Sequence, residues 1–236
     1  VDAASGGFIL PFLKPHIKWD FRLDNVLSIS TSGHKYGLVY PGLGWVIWKD
    51  KKYLPSEMAF SVNYLGADIT QVGLNFSRPA AQVLGQYYQF IRLGFQGYKA
   101  IQQNSMEIAE YLHSEIAKMP QFKNYSSELV NPLFIWSLNP KYDKVANWTL
   151  YDLQYKLQQN GWMVPAYTLP KDLEQCVVMR IVCRQGFSRD MADMLLTDIR
   201  MAVSDLEKLS YPTQSRVEVN RNIHPKHSFN HGGKKS

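Results

Sequence analysis

The stretch Ser30-Thr31-Ser32-Gly33-His34-Lys35-Tyr36-Gly37 constrains this chain more than any other. An apolar run at 26–29 leads into small hydroxyl residues, then a His-Lys pair and a glycine. Such a pattern delivers a lysine at the end of a buried strand, where its amine can be desolvated and made nucleophilic. The opening Val1-Asp2-Ala3-Ala4-Ser5-Gly6-Gly7 places an acid upstream, at the end of an earlier strand. Taken alone, a lysine is usually a solvated cation and an acid usually a cap or turn residue. Taken together, they form a pair with a chemical use.

A lysine that holds an aldehyde as a Schiff base, with a carboxylate that keeps a pyridine nitrogen protonated, is what pyridoxal phosphate chemistry requires. The wording around the pair extends the match: VDAASGGF, DFRL, SISTSGHKYGL, GWVIW, a Tyr-Leu-Gly turn, NFSRPAAQV, QYYQFIRLG, TLYDL, VPAYTL and VVMRIVCRQGF follow in order along nearly the whole chain. In these segments the chain resembles the C-terminal half of pyridoxal-phosphate glutamate decarboxylases of the bacterial and plant type. One departure is Asp24, where the family usually has proline after Phe-Arg-Leu; it falls in a connecting loop.

The resemblance implies a fold-type-I α/β architecture and the α-decarboxylation of L-glutamate to 4-aminobutyrate. It implies that Lys35 forms the Schiff base, that Asp2 pairs with the ring nitrogen and that Ala4 packs on the ring face. Ser32 and His34 become phosphate or ring contacts, with a merely structural histidine as the alternative. Phe76 and Ser77 open a helix whose free amides suit phosphate. Arg180, in an otherwise apolar strand and expected to be buried, becomes the clamp for the substrate's α-carboxylate, with a structural ion pair as the alternative. Arg184 follows four residues on and faces the same way. Tyr64 and Leu65 become a flap reaching a partner's site, which implies self-association into a dimer or larger oligomer.

The resemblance also implies that the family's N-terminal half, with its phosphate loop, its residue stacking on the second ring face and its distal-carboxylate pocket, is absent. The isolated chain is therefore expected to be incomplete. Two rival readings stay open: another fold-type-I decarboxylase or lyase, for which Lys35 and Asp2 serve equally well, and a truncated product that only pairs with other subunits.

The formal charge is +6, but residues from 210 onward carry a net +4 of it, so the body is nearly balanced. Neither a clustered basic face nor a nucleic-acid module is visible, and nucleic acid is not an expected partner. No apolar run is long enough to span a bilayer, no metal site is expected, and two cysteines, Cys176 and Cys183, fit a reducing compartment, hence the cytoplasm. The tail holds His224, His227 and His231. The sequence Ser228-Phe229-Asn230-His231 resembles a C-terminal plug of acid-induced bacterial members, which implies a pH gate at His231; an ungated tail is the alternative. Calmodulin is not expected, since no tryptophan or basic amphipathic helix occurs there.

Short apolar runs at 8–10, 26–29, 45–48 and 58–64 predict strands and turns. Pro79 predicts a helix start, with Ala80, Val83, Leu84, Tyr87, Tyr88, Ile91 and Leu93 on one broad face, interrupted at Gly94 and Gly97. A second helix is predicted over 98–118. Beyond it, strands at 133–138, 162–164 and 177–183 alternate with helices at 149–160, capped by Thr149 and Asp152, and at 188–209. This predicts residues 1–104 as part of a cofactor-binding large domain, 105–210 as a small α/β domain, and 211–236 as a basic, mobile tail.

Overall fold

The computed structural model describes residues 1–62, 66, 69–71 and 79–220. In order come α1 (Leu10–Leu13), β1 (Ser28–Ser32), β2 (Gly44–Trp48), β3 (Phe60–Val62), β4 (Ile69–Gln71), α2 (Ala81–Ala117), β5 (Phe122–Asn124), β6 (Leu133–Leu138), α3 (Pro140–Asp143), α4 (Leu150–Gln159), β7 (Ala166–Thr168), β8 (Val177–Val182), α5 (Arg189–Glu207) and α6 (Gln214–Asn220). The chain divides into two compact units. One comprises Val1–Glu107, Val130–Pro132 and Cys183–Gly186, and the other Ile108–Leu129, Leu133–Val182 and Phe187–Ser236.

In the first unit β1 and β2 form an antiparallel ribbon with Ile29 opposite Ile47. Residues 1–4 lie parallel to β1 on its other side: Ser30 N–H donates to Val1 O (3.0 Å), Ala3 N–H to Ser30 O (2.8 Å) and Ser32 N–H to Ala4 O (3.2 Å). Ala3, Val26 and Ile29 are buried there with Trp19 and Phe21 against them. Burial of this small apolar set holds the acid-bearing segment on the strand that leads to Lys35.

The run 8–10, predicted as a strand, is helical instead. Gly6–Phe8 forms a 3-10 turn and Pro11 sits in the first turn of α1, where its fixed φ and missing N–H favour helix. Phe8 and Phe12 meet Tyr98 at ring-centroid distances of 5.9 and 5.3 Å, and Phe90 reaches both Phe8 (6.2 Å) and Trp45 (5.9 Å). Helix α2 is thus fastened by an aromatic cluster.

The predicted interruption is present in α2, where two helices meet at a kink. Gly94 takes φ 56° and ψ −167°, a conformation essentially reserved for glycine, and kinks it; Gly97 stays helical. Over 81–93 the burial of α2 is the reverse of an ordinary amphipathic helix, whereas farther on Met106, Ala109, Leu112 and Ile116 are buried in the ordinary way. Val83, Leu84, Tyr87, Tyr88 and Ile91 are exposed, whereas Gln86 and Gln102 are fully buried.

The second unit is a four-stranded antiparallel sheet in the order β5-β6-β8-β7. Its core includes Phe134, Trp136, Met179, Leu153, Leu157, Leu196 and Ile199. Strand β6 matches the predicted run, and helix α4 opens on Thr149, whose N–H and hydroxyl both donate to Asp152 Oδ2 (2.7 and 2.9 Å). The strand predicted at 162–164 falls instead at β7. Gly161 (φ 85°) ends α4, and Pro165, with no N–H, delays the ladder until Ala166. Within the segment read as a tail, α6 docks through a buried Arg216, which donates to Asp143 Oδ1 (2.7 Å) and Trp148 O. Among the described residues no helix is long and apolar enough to cross a membrane.

Candidate functional site

After β1 the chain turns sharply over residues 33–37. Val39 N–H closes the turn on Gly33 O (3.3 Å) and Lys35 N–H lies 3.5 Å from Ser32 O. A Cβ on Gly37 would stand 2.6 Å from Gly33 O, so the two glycines approach at a spacing only hydrogen permits. Leu38 adopts φ 65°, a left-handed conformation costly for a branched side chain.

The turn sends alternate side chains to opposite sides. Tyr36 is buried and its hydroxyl donates to Cys183 O (3.2 Å). Lys35, contrary to the expected desolvation, is exposed, because Tyr36 takes the inward position. It opens onto a cleft of about 500 Å³ lined by His34, Lys35, Tyr40, Tyr88, Arg184 and Gln185, among others. No carboxylate among the described residues pairs with its amine. His34 is half-buried, and its Nδ1 is buried with no hydrogen-bond partner.

Asp2 is exposed, and among the described residues its carboxylate is engaged only through Oδ1, which accepts from Ala4 N–H (2.9 Å). Ala4 and Ser32 are half-buried neighbours across the Ser32 N–H to Ala4 O bond. The structure therefore brings Asp2, Ala4, Ser32, His34 and Lys35 onto adjoining segments of one unit. An unpaired amine, a carboxylate with free lone pairs and an unpartnered ring nitrogen form a donor set that suits an aldehyde-bearing pyridine such as pyridoxal phosphate.

Arg180 is exposed on β8, contrary to the expected burial. Its guanidinium lies 5.7 Å from the Tyr167 ring centroid. Strand alternation explains the difference: Met179 and Ile181 point into the core, whereas Arg180 and Val182 share a face left uncovered there. Arg184, four residues on, lines the cleft with Lys35. Tyr64, Leu65, Phe76, Ser77 and His231 lie outside the described residues.

Sequence reasoning missed the glutamines behind the turn. Gln86 and Gln102 donate to Gly37 O and Tyr36 O (2.8 Å each), Gln89 to Leu38 O (3.2 Å) and Gln82 to Pro41 O (3.1 Å). The signal was present: Gln82, Gln86 and Gln89 recur at helical spacing, as one stripe of α2.

The model of the pyridoxal-dependent decarboxylase conserved domain matches residues 1–138. Glutamate decarboxylase beta of Listeria monocytogenes is 49% identical over 206 residues, covering 87% of this chain and 44% of that protein. Glutamate decarboxylase 5 of Arabidopsis thaliana is 48% identical over 209 residues, 89% of this chain and 42% of that protein. The solved glutamate decarboxylase of Lactobacillus brevis superposes with a TM-score of 0.80 at 48% identity, over 89% of this chain and 47% of that one. A sphingosine-1-phosphate lyase of Burkholderia pseudomallei shares the fold at 22% identity and a TM-score of 0.70. The chain spans less than half the length of these relatives.

Proposed function

Since this chain belongs to the pyridoxal-dependent decarboxylase family, with the mixed α/β architecture of fold-type-I enzymes, we propose that it supplies the lysine-bearing half of a glutamate decarboxylase site. The reaction would convert L-glutamate to 4-aminobutyrate and carbon dioxide. The observation that carries the proposal is the parallel pairing of residues 1–4 with β1, which sets Asp2 beside the strand that leads to Lys35.

When bound, pyridoxal phosphate supplies the electron sink that takes up the pair left as a carboxylate departs. This chain's residues do the holding. Lys35 would bond the aldehyde carbon through its unpaired amine. Asp2, with lone pairs to spare, would accept a hydrogen bond from the protonated ring nitrogen and keep that proton in place. Ala4 would lie against the ring, and Ser32 and His34 would add hydrogen bonds, His34 through the Nδ1 that has no partner. Arg180 would anchor the substrate's α-carboxylate; Phe76, Ser77, Tyr64 and Leu65 would complete phosphate and partner contacts, and His231 would gate the site with pH. Residues 1–104 would then form part of the cofactor-binding domain and 105–210 a small C-terminal domain. A cytoplasmic homo-oligomer suits the two free thiols and the shared site.

A second reading, in which the chain works only once paired with another polypeptide, is favoured by the exposure of Lys35 and by the chain's span of 44% of its relative. Both readings meet one experiment. The chain, alone and mixed with an N-terminal half of a bacterial glutamate decarboxylase, is supplied with pyridoxal phosphate and offered glutamate, aspartate and tryptophan. Carbon dioxide release from glutamate alone supports the proposal, and the mixing requirement decides between the readings. Release from tryptophan instead would overturn the substrate assignment.

A further inference from the structure

Lys35 is held at both ends by devices of different kinds. On its N-terminal side the backbone runs in β1, paired with residues 1–4. On its C-terminal side the backbone is not in a strand again until Gly44, yet the carbonyls of Tyr36, Gly37 and Leu38 each receive a side-chain donor from α2.

The centre is a closed triangle. Gln86 Nε2 uses its two hydrogens on Gly37 O (2.8 Å) and Tyr98 Oη (2.9 Å), and the Tyr98 hydroxyl donates in turn to Gly37 O (2.9 Å). Gln102 caps the preceding carbonyl and Gln89 the following one, where Leu38 is in its left-handed conformation. Burial raises the Tyr98 phenol to about 12, which favours the protonated hydroxyl that donates. Gly33 and Gly37 close against Gln86: a Cβ on either would meet Gln86 Oε1 at 2.6 or 2.9 Å.

Burying amides in this way is an expensive means of stabilising a helix. A buried glutamine gives up about 1.5–2 kcal/mol of side-chain entropy, and an apolar residue would fill the same space without a polar atom to satisfy. Helix α2 nevertheless turns Gln86 and Gln102 inward and leaves Leu84, Tyr87 and Ile91 outside. What the arrangement yields is a held backbone: Nε2 of Gln86, Gln89 and Gln102 is used on the turn carbonyls, while Oε1 of each is buried without a partner among the described residues, a cost that an apolar core would not carry.

We propose that Gln86, Tyr98 and Gln102 are positioning residues that fix the 33–39 turn and thereby aim the Lys35 amine into the cleft. This rests on the proposed role of Lys35. Side-chain amines have four rotatable bonds, so a firm Cα and backbone direction is the part of the aim the protein can set.

The test compares Gln86→Met, Tyr98→Phe and Gln102→Met with a control on the same helix, Gln103→Met, whose amide is exposed and, among the described residues, bonds Glu107. Hydrogen exchange of the amides at 33–39 should quicken about tenfold in the three variants, the equivalent of about 1.4 kcal/mol for a lost buried bond, and stay unchanged in the control. Exchange within β1 and β2 should not follow. The visible absorption band of pyridoxal phosphate held at Lys35 should shift in the three variants and not in the control. Unchanged exchange at 33–39, or a rise spread evenly over β1 and β2, would overturn the inference. An unmoved band despite faster exchange would likewise overturn it, reducing the glutamines to fold stabilisers. If the unaltered chain takes no label at Lys35, the functional reading falls, and the exchange pattern alone decides whether the turn is held by α2.

Discussion

The Tyr36 hydroxyl donates to the carbonyl of Cys183, tying the turn that carries Lys35 to a point 147 residues away in the chain. The bond is buried, and it leaves the neighbouring Lys35 pointing outward. Tyr36→Phe keeps the ring but strands a buried acceptor. We expect a loss of about 1–2 kcal/mol, read as a lower urea midpoint, with slower pyridoxal phosphate labelling at Lys35.

Gly37→Ala should be worse than its size suggests. The new methyl would meet Gly33 O at 2.6 Å and Gly33 Cα at 2.8 Å, both backbone atoms that cannot rotate away. Gly44→Ala is the matched control, since its Cβ would find only Thr31 O at 3.9 Å. Labelling of Lys35 should collapse in the first variant and persist in the second.

Gly94→Ala isolates backbone strain from packing. Beyond the helix's own backbone no described atom lies within 4 Å of the added Cβ, but φ 56° with ψ −167° is a glycine conformation. Destabilisation of about 1–3 kcal/mol is expected in urea unfolding, with no change in the labelling pattern. A neutral result would mean that the kink straightens freely.

Arg216 is nearly fully buried, while its partner Asp143 is half exposed. Arg216→Met fills the space but leaves Trp148 O, which accepts from two guanidinium nitrogens, unpaired. About 2 kcal/mol should be lost, and proteolysis near α6 should quicken. Equal protease resistance in the two proteins would argue that α6 is held by other contacts.

Alkaline pH should weaken the fold through Cys183. Burial pushes its thiol from 9.0 up to about 12, so the folded state keeps a proton that the unfolded state releases. The stabilisation is whole below pH 9 and is lost progressively as pH rises from about 9 to about 12. Cys183→Ala should flatten that part of the stability profile. At pH 8 iodoacetamide should modify the half-buried Cys176 and spare Cys183 until the chain is unfolded.

Legibility in the sequence followed how local the cause was. The β6 run, the Thr149–Asp152 cap and the Gly161 stop were readable because each depends on neighbours in sequence. The 8–10 run was misread because Pro11 outweighs an apolar triplet, and the 162–164 run because Pro165 moves the ladder. Arg180 looked buried because strand periodicity cannot tell which face of a sheet is covered. The Lys35 turn was legible as a motif, but its support was not. Glutamines on a helix read as its wet side, and only tertiary structure turns Gln86 and Gln102 toward two carbonyls of a turn 49 and 66 residues earlier.

The central claim is that the turn after β1 presents Lys35 to pyridoxal phosphate with Asp2 beside it. The most direct measurement is a brief exposure of the chain and its Asp2→Asn variant to pyridoxal phosphate, followed by borohydride and peptide mapping of every lysine. The account predicts label concentrated at Lys35, saturable, and weakened in the variant. Label spread evenly over the exposed lysines, or concentrated at another and indifferent to Asp2, would contradict it.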